Sequence, residues 1–342
     1  MPTPDQGDGT AMGAGVLEMV AQELSGPLLD RLAPGSSPGP DRVSTALSDT
    51  TTHGLLGTRC DLELHGPPDR LTARGQAGHV LGLPDAGAVL VEGIRHYDGR
   101  RVLLLLPLDT PYTRVREQRL GALAGARYGH LEVTALAVPG HALLGTVQRH
   151  ASLLRDAVAA TRLGLARLLS DLAQQSVREA LAHAQSRPFQ DGVLAGRQAF
   201  GHAVAEAAAA VRMCHAVTRR AATTSGPARW DRAVRAGVFV ARAVPQSVGT
   251  ACRLFGGQGF MDGHPMAAAY REAVFAPVLL GGQQRLVDSM RQRLAGEASP
   301  PKPTDGQTQR QTQTIGQTQA QAQAQAQSVG RPGHQPVSGS MR

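Results

Sequence analysis

The feature that most constrains the fold is a long helical pattern between residues 146 and 184. Apolar residues recur there every three or four positions without any proline, and Gly164 is the only glycine. This pattern predicts one long amphipathic helix, which needs neighbouring helices to bury its apolar face. Further apolar-periodic segments occur after short joints, at residues 194–222, 227–255, 266–276 and 283–294. Long helices joined by short connections predict an antiparallel helical bundle.

A different pattern precedes the bundle. Residues 55–140 contain short alternating or β-branched runs, many of them separated by glycine, proline or aspartate. The runs lie at residues 60–64, 70–73, 88–91, 101–106, 112–116 and 130–136. Short strands at such spacing predict a small antiparallel β-barrel or sandwich. The expected fold class is therefore α+β, with a β domain in the middle of the chain and a C-terminal antiparallel helical bundle.

The two ends of the chain show weaker patterns. Residues 1–45 are rich in glycine and proline around one helical pattern at residues 16–32, which predicts a reduced N-terminal helical segment. Residues 298–342 are low in complexity, with glutamine at many alternate positions, and offer no apolar face. This composition predicts a disordered Gln-rich tail. The expected divisions of the chain are residues 1–45, 46–142, 143–297 and 298–342.

Charge and composition exclude several classes of function. The net charge of +8 comes almost entirely from scattered arginines, and aromatic residues make up only 3% of the chain, so we expect no nucleic-acid partner. Cys60, Cys214 and Cys252 are too widely spaced for a zinc motif or a disulfide framework, and we expect no metal. The sequence shows neither a signal peptide nor a membrane-spanning run, so we expect a cytoplasmic protein without a membrane partner.

One segment carries a candidate binding pattern. It begins at Arg253 and reads Arg-Leu-Phe-Gly-Gly-Gln-Gly-Phe, directly after a predicted helix. Three glycines within four residues let backbone amides approach a phosphate closely, although glycines also simply end helices. A Gly-x-Ser-x-Gly match at residues 35–39 lacks the strand and helix that a nucleophile elbow needs, so we interpret it as chance.

The glycine segment and the residues after it resemble the acyl-CoA dehydrogenase family. The family string Q-x-[FL]-G-G-x-G-[YF], then Pro, Arg-Asp-Ala and Tyr-Glu-Gly-Thr, aligns without gaps with residues 253–282. A second string, R-x-x-F-G-x-x-L-x-x-x-Q, partly fits residues 187–198, and Thr161-Arg162 falls where the family often has Thr-Arg or Gly-Arg. The resemblance covers about residues 55–295, and its order of domains agrees with the β and helical patterns of the chain.

The resemblance implies a flavin site. In this family FAD lies between the β domain, the bundle and a neighbouring subunit, and it accepts a hydride from the β carbon of an acyl-CoA while a carboxylate removes the α proton. The expected partners are an acyl-CoA or acyl-carrier thioester and either a second copy of the chain or a full-length homologue. By resemblance, the diphosphate and adenosine side of FAD would be contacted by Arg187, Gln198, Arg253, Gly256 and Gly257.

The usual catalytic positions depart from the family. The family's base falls on Leu280, and the alternative base position on the first long helix falls on Thr161, so no catalytic residue is predicted at either place. The family's flavin-facing Trp-x-Thr falls on residues 79–81, and the flavin-touching Thr falls on Gly282. Asp262 and Glu272 are the nearby acidic alternatives, although Glu272 fills the family's structural Arg-Asp pair.

The resemblance and its departures leave three hypotheses. The first is an FAD-dependent oxidoreductase that acts on the CH–CH group of an acyl thioester with an unconventional base. The second is a base-less, non-catalytic subunit that completes the site of a full-length homologue in a heteromeric dehydrogenase. The third is a flavin-free remnant that serves as a scaffold.

Overall fold

The computed structural model describes residues 7–34, 43–123 and 125–298. The Gly-x-Ser-x-Gly match and the predicted Gln-rich tail therefore lie outside the described residues. Contacts divide the chain into two units, Met1–Arg291 and Gln292–Arg342. Of the second unit, the structure describes only the last residues of the C-terminal helix.

The N-terminal segment is helical, but its helix is interrupted. Helix α1 (Gly7–Val20) runs into a π-helical turn at Ala21–Ser25, and helix α2 (Gly26–Leu32) comes next. The interruption lies just before Pro27, which has no backbone N–H to donate to the preceding turn and whose ring clashes with a regular helix. Val16, Leu24 and Leu28 are buried from this segment.

The middle of the chain forms one eight-stranded sheet. Its strands are β1 (Val43–Ala46), β2 (Arg59–His65), β3 (Leu71–Leu81), β4 (Ala88–Arg95), β5 (Arg101–Pro107), β6 (Thr113–Gln118), β7 (Tyr128–Val138) and β8 (Leu143–Thr146). A short helix, α3 (Asp49–Thr52), connects β1 and β2. The path through the sheet is β6-β7-β3-β2-β4-β5-β8, and β1 pairs with β4 beside that path.

Most pairs of neighbouring strands are antiparallel, as predicted, but two are parallel. β1 pairs with β4 from Val43 opposite Ala88, and β2 pairs with β4 from Leu62 opposite Gly93. The sequence patterns did not predict β1, because a strand of four residues that is buried throughout shows no alternation. The short crossover through α3 brings β2 back beside β4 in the same direction.

Strand β4 shows how the sheet separates two cores. Val89 and Val91 belong to the core of the β domain, whereas Leu90 on the opposite face belongs to the core shared with the helices. A strand buried on both faces carries a continuous apolar run rather than an alternating one. One face of the sheet thus packs against the helical region, and the other face encloses the core of the β domain.

The C-terminal half is the predicted bundle. It consists of α4 (Ala151–Ser186), α5 (Gln198–Ala222), α6 (Pro227–Leu254), α7 (Pro265–Leu279) and α8 (Gln283–Ala298). The predicted start of the first long helix at residue 146 is wrong, because β8 pairs with β5 up to Thr146. Between α4 and α5, strands β9 (Pro188–Phe189) and β10 (Gly192–Val193) form a small hairpin. No helix in the described ranges is long and apolar enough to cross a membrane.

Candidate functional site

The glycine segment forms a turn between two helices. Helix α6 ends at Leu254, a 3-10 turn covers Gly256–Phe260, and α7 begins at Pro265. Gly256 has a φ of +67°, a left-handed conformation that favours glycine. A Cβ atom built on Gly256 or Gly257 would meet no heavy atom within 4 Å. The backbone of this turn is therefore open to a ligand.

The end of α4 lies against the same turn. The Arg187 guanidinium approaches His183 Nε2 at 3.3 Å, and the His183 ring stacks on Phe255 with a centroid distance of 4.4 Å. Phe255 in turn meets the edge of His264, with the ring centroids 5.0 Å apart. We call these four residues, together with Gly256 and Gly257, the glycine-turn cluster. It unites two of the sequence motifs, which are nearly 70 residues apart.

The glycine-turn cluster contains one exposed cation, Arg187, and the imidazoles of His183 and His264. Partial burial lowers the pKa of His183, and the nearby Arg187 and His264 lower it further. The Arg187 side chain is exposed, and His264 caps the first turn of α7 by accepting a hydrogen bond from the Met266 amide at 3.1 Å. A cation, two imidazoles and an open backbone are complementary to an anion such as a diphosphate.

The other predicted binding residues lie apart from this cluster. Gln198 is exposed at the first position of α5, and no hydrogen bond in the described part of the chain connects it to the glycine turn. Arg253 donates to Thr250 Oγ1 at 3.0 Å and lines a separate groove of about 360 Å³ between α5 and α6. The structure therefore brings together Arg187, Gly256 and Gly257, but not Gln198 or Arg253.

Both positions where the family carries its base are enclosed. Leu280 and Thr161 are each 0% exposed, and the Thr161 hydroxyl donates to the Ala157 carbonyl at 2.8 Å. The buried Arg162 donates from Nε to the Leu280 carbonyl at 3.1 Å and from Nη2 to the Thr52 carbonyl at 3.0 Å. Leu280 and Thr161 are thus both fully buried in the folded chain.

The segment after Leu280 is in direct contact with the loop that follows α3. A Cβ atom on Gly54 would lie 2.6 Å from the Gly281 carbonyl oxygen, so only glycine allows this approach. Gly54 and Gly281 both have positive φ, at +75° and +112°. The backbones of Gly54 and Gly281 thus pack directly against each other. The next residue, Gly282, donates its amide to the Pro277 carbonyl at 2.6 Å.

The acidic alternatives do not form a base site either. Glu272 is buried, and both of its carboxylate oxygens accept from the Leu123 amide, at 2.6 and 2.7 Å. It therefore anchors the loop before β7, where Leu123 has a positive φ of 55°. Asp262 is exposed in the turn before α7.

A pocket that the sequence patterns did not predict lies at the N-terminal segment. It has a volume of about 720 Å³ between α1, the π-helical turn, β1 and the end of β3. Leu81, one of the residues aligned with the family's flavin-facing positions, lines it, whereas His79 is exposed. Three carboxylates border the pocket, from Glu18, Asp30 and Asp85. The sequence predicted a helix in this region, but it gave no sign of the π-helical turn that lines the pocket.

The described residues contain no group of three or more His, Cys, Asp or Glu side chains placed to hold a metal ion. All three cysteines are unpaired. Cys60 donates from Sγ to the Glu92 carbonyl at 2.9 Å, and burial raises the pKa of its thiol to about 12, so it is a protonated structural residue.

Comparison with known proteins places this architecture in one class. The fold is similar to those of butyryl-CoA dehydrogenase from Megasphaera elsdenii (TM-score 0.71, 14% identity, 83% of this chain and 78% of that chain covered) and of an acyl-CoA dehydrogenase from Geobacillus kaustophilus (0.66, 16%, 82% and 82%). A glutaryl-CoA dehydrogenase from Mycobacterium smegmatis, solved in complex with FADH2, is also similar (0.69, 16%, 84% and 80%). These similarities establish the acyl-CoA dehydrogenase fold.

The sequence match to a known family lies in the helical domain. Residues 151–295 match the family model of the acyl-CoA dehydrogenase C-terminal domain. No curated protein matches the chain by sequence. Residues 151–295 are therefore a C-terminal domain of the acyl-CoA dehydrogenase type, as the motifs in this part of the chain predict.

Proposed function

We propose that the chain is an acyl-CoA dehydrogenase-like flavoprotein, an oxidoreductase that acts on the CH–CH group of an acyl thioester. The observation that carries this proposal is the glycine-turn cluster, an open turn beside the exposed Arg187 within the matched family domain. The dehydrogenases with this fold include one solved with FADH2. When bound, FAD would supply the acceptor for a hydride from the acyl chain.

The residues present fit one part of FAD. The exposed Arg187 guanidinium and the uncovered backbone of Gly256 and Gly257 suit its diphosphate, since fixed donors and open amides match phosphoryl oxygens. Because this cluster lies on the surface, we propose that it serves the flavin of a second copy of the chain, as the family resemblance implies. The active species is then a homo-oligomer.

The acyl portion is proposed to occupy the N-terminal pocket. Its wall is mainly apolar, and Leu81 connects it to the β strand that the resemblance places beside the flavin. Removal of a weakly acidic α proton needs a positioned carboxylate, and Leu280 and Thr161 do not supply one. The base that removes the α proton is therefore one of the carboxylates at this pocket, Glu18, Asp30 or Asp85.

The cytoplasmic location also stays a prediction. It is supported by the three unpaired cysteines, since cysteines in oxidising compartments are usually paired.

The first experiment measures flavin and oligomeric state together. The purified chain is expected to show a flavin absorption band and one FAD per chain in an oligomer. Arg187→Ala is expected to lower the retained flavin at least several-fold, whereas Arg178→Ala, at an exposed arginine on α4, is the matched control. Protein without flavin, even after incubation with FAD, would overturn the proposal and leave the scaffold hypothesis.

The second experiment measures turnover. The holoprotein alone, with an acyl-CoA and an artificial electron acceptor, is expected to be active. Glu18→Gln, Asp30→Asn and Asp85→Asn identify the base, since one of them should lower kcat by at least about a hundredfold while retaining flavin. Activity that appears only after addition of a full-length homologue would instead establish the base-less subunit.

A further inference from the structure

A second large cavity lies on the helical side of the chain, away from the glycine-turn cluster. It has a volume of about 900 Å³ between α4, the second half of α5, the beginning of α6 and the π-helical turn. Its charged lining consists of the carboxylates of Glu23 and Asp171 and of four arginines, Arg167, Arg212, Arg219 and Arg229. We call it the four-arginine cavity.

The cavity is also distant from the proposed flavin contacts. Arg167 lines it from the middle of α4, and Arg187 lies just beyond the end of the same helix. Twenty residues of α-helix separate the two positions by about 30 Å. A ligand in the cavity is therefore a different ligand from a diphosphate at the glycine turn.

The charges of the cavity are unbalanced. It has four arginines against the two carboxylates of Glu23 and Asp171. In the part of the chain that the structure describes, none of these arginines lies within ion-pair distance of a carboxylate. The one charged contact is long, with His215 Nε2 3.8 Å from Asp171 Oδ1. Concentrated positive charge in a concave site attracts anions.

Three hydrogen-bonding atoms around the cavity are buried and have no partner among the described residues. They are His215 Nε2, Thr218 Oγ1 and Arg229 Nε, and Thr218 is only 5% exposed. Buried polar atoms are normally paired, because an unmade hydrogen bond leaves the cost of removing water uncompensated. All three groups can donate a hydrogen bond. Arg229 Nε can only donate, so its missing partner is an acceptor, and Thr218 and His215 can donate to the same group.

We propose that the four-arginine cavity binds a small polyanion whose phosphoryl or carboxylate oxygens accept from Thr218, His215 and Arg229. The arginines supply charge that is complementary to such a ligand and donors in a planar arrangement that suits its oxygens. The cavity has room for a molecule larger than a single phosphate ion. This site is independent of the proposed flavin chemistry.

The test measures anion binding by calorimetry and thermal unfolding in an Arg187→Ala background, which weakens the glycine-turn cluster as an alternative site. The probes are pyrophosphate and citrate, each compared with sodium chloride at equal ionic strength. Either probe is expected to bind and to raise Tm beyond the effect of sodium chloride. Binding of pyrophosphate alone would identify phosphoryl chemistry, and binding of citrate alone polycarboxylate chemistry.

Variants locate the binding. Arg229→Gln is expected to weaken the affinity at least tenfold, and Arg220→Gln, an exposed neighbour on α5 outside the cavity, is expected to leave it unchanged. Thr218→Val keeps the shape and removes the unpaired hydroxyl, so it should weaken anion binding several-fold without lowering the Tm of the ligand-free protein. Equal affinity in the Arg229 and Arg220 variants, no effect of Thr218→Val on affinity, or no Tm shift beyond that of sodium chloride would overturn the proposal.

Discussion

Arg162 donates a hydrogen bond from its buried guanidinium to the backbone carbonyl of Leu280, the residue at the position of the family's base. A second bond, to the Thr52 carbonyl, joins the end of α3 to the same guanidinium. The Arg162 guanidinium also lies over the Trp230 ring, 5.2 Å from its centroid. One side chain thus connects three parts of the fold.

Replacement of Arg162 by methionine should therefore destabilise the protein strongly. It leaves two buried carbonyls without a donor, at a cost of about 1–3 kcal/mol each. Urea unfolding measures the effect, with Arg178→Met on the exposed face of α4 as the control. Equal free energies of unfolding for the two variants would show that the Arg162 bonds contribute no net stability.

Leu280→Glu is expected to destabilise the chain rather than create an active site. Leu280 is 0% exposed, and the backbone of the 53–55 loop lies against the next residue, Gly281. A carboxylate there must be buried without room for water, at a cost of about 3–5 kcal/mol. The measurement combines unfolding with turnover, and Leu280→Met serves as the size-matched control. A stable Leu280→Glu protein with new activity would mean that this region opens.

The sequence predicted the parts of this fold that depend on local spacing. Apolar periodicity located the helices of the bundle, and the glycines after Leu254 located the turn. It missed β1 and β8, because strands of four residues are too short to show a period. It also missed both large cavities, since Glu23 and Arg229 border the same cavity only after the chain has folded. The proximity of these two residues depends on tertiary packing, which no sequence motif predicts.

Cys60 should make the fold sensitive to alkali. Burial raises the pKa of its thiol to about 12, whereas the thiol of the unfolded chain titrates near its ordinary pKa of 9.0. Above about pH 9 the unfolded state therefore binds fewer protons than the folded state, and stability falls with rising pH, by up to about 1.4 kcal/mol per pH unit from this group.

Cys60→Ala is expected to reduce that decline. Urea unfolding at several pH values between about 8 and 10 measures the slope, in a range where thiols of the unfolded chain begin to ionise. Some decline should remain, because burial also raises the pKa of Cys214, to about 11. A slope identical in the wild-type and Cys60→Ala proteins would contradict the prediction.

His183 should make anion binding at the glycine-turn cluster depend on pH. Without a ligand, partial burial and the neighbouring Arg187 and His264 lower the pKa of this histidine, so it is mainly neutral near neutral pH. A bound diphosphate favours the protonated imidazole and raises that pKa, so flavin affinity should strengthen as the pH falls from about 7.5 to 5.5. His183→Phe keeps a ring stacked on Phe255 but cannot take up the proton, and it should flatten this dependence. The measurement is an FAD titration of the apoprotein at each pH.

The exposed His202 on α5 offers a control variant, His202→Phe, that should retain the pH dependence. If flavin affinity changes with pH equally in the His183 and His202 variants, the proton is taken up elsewhere.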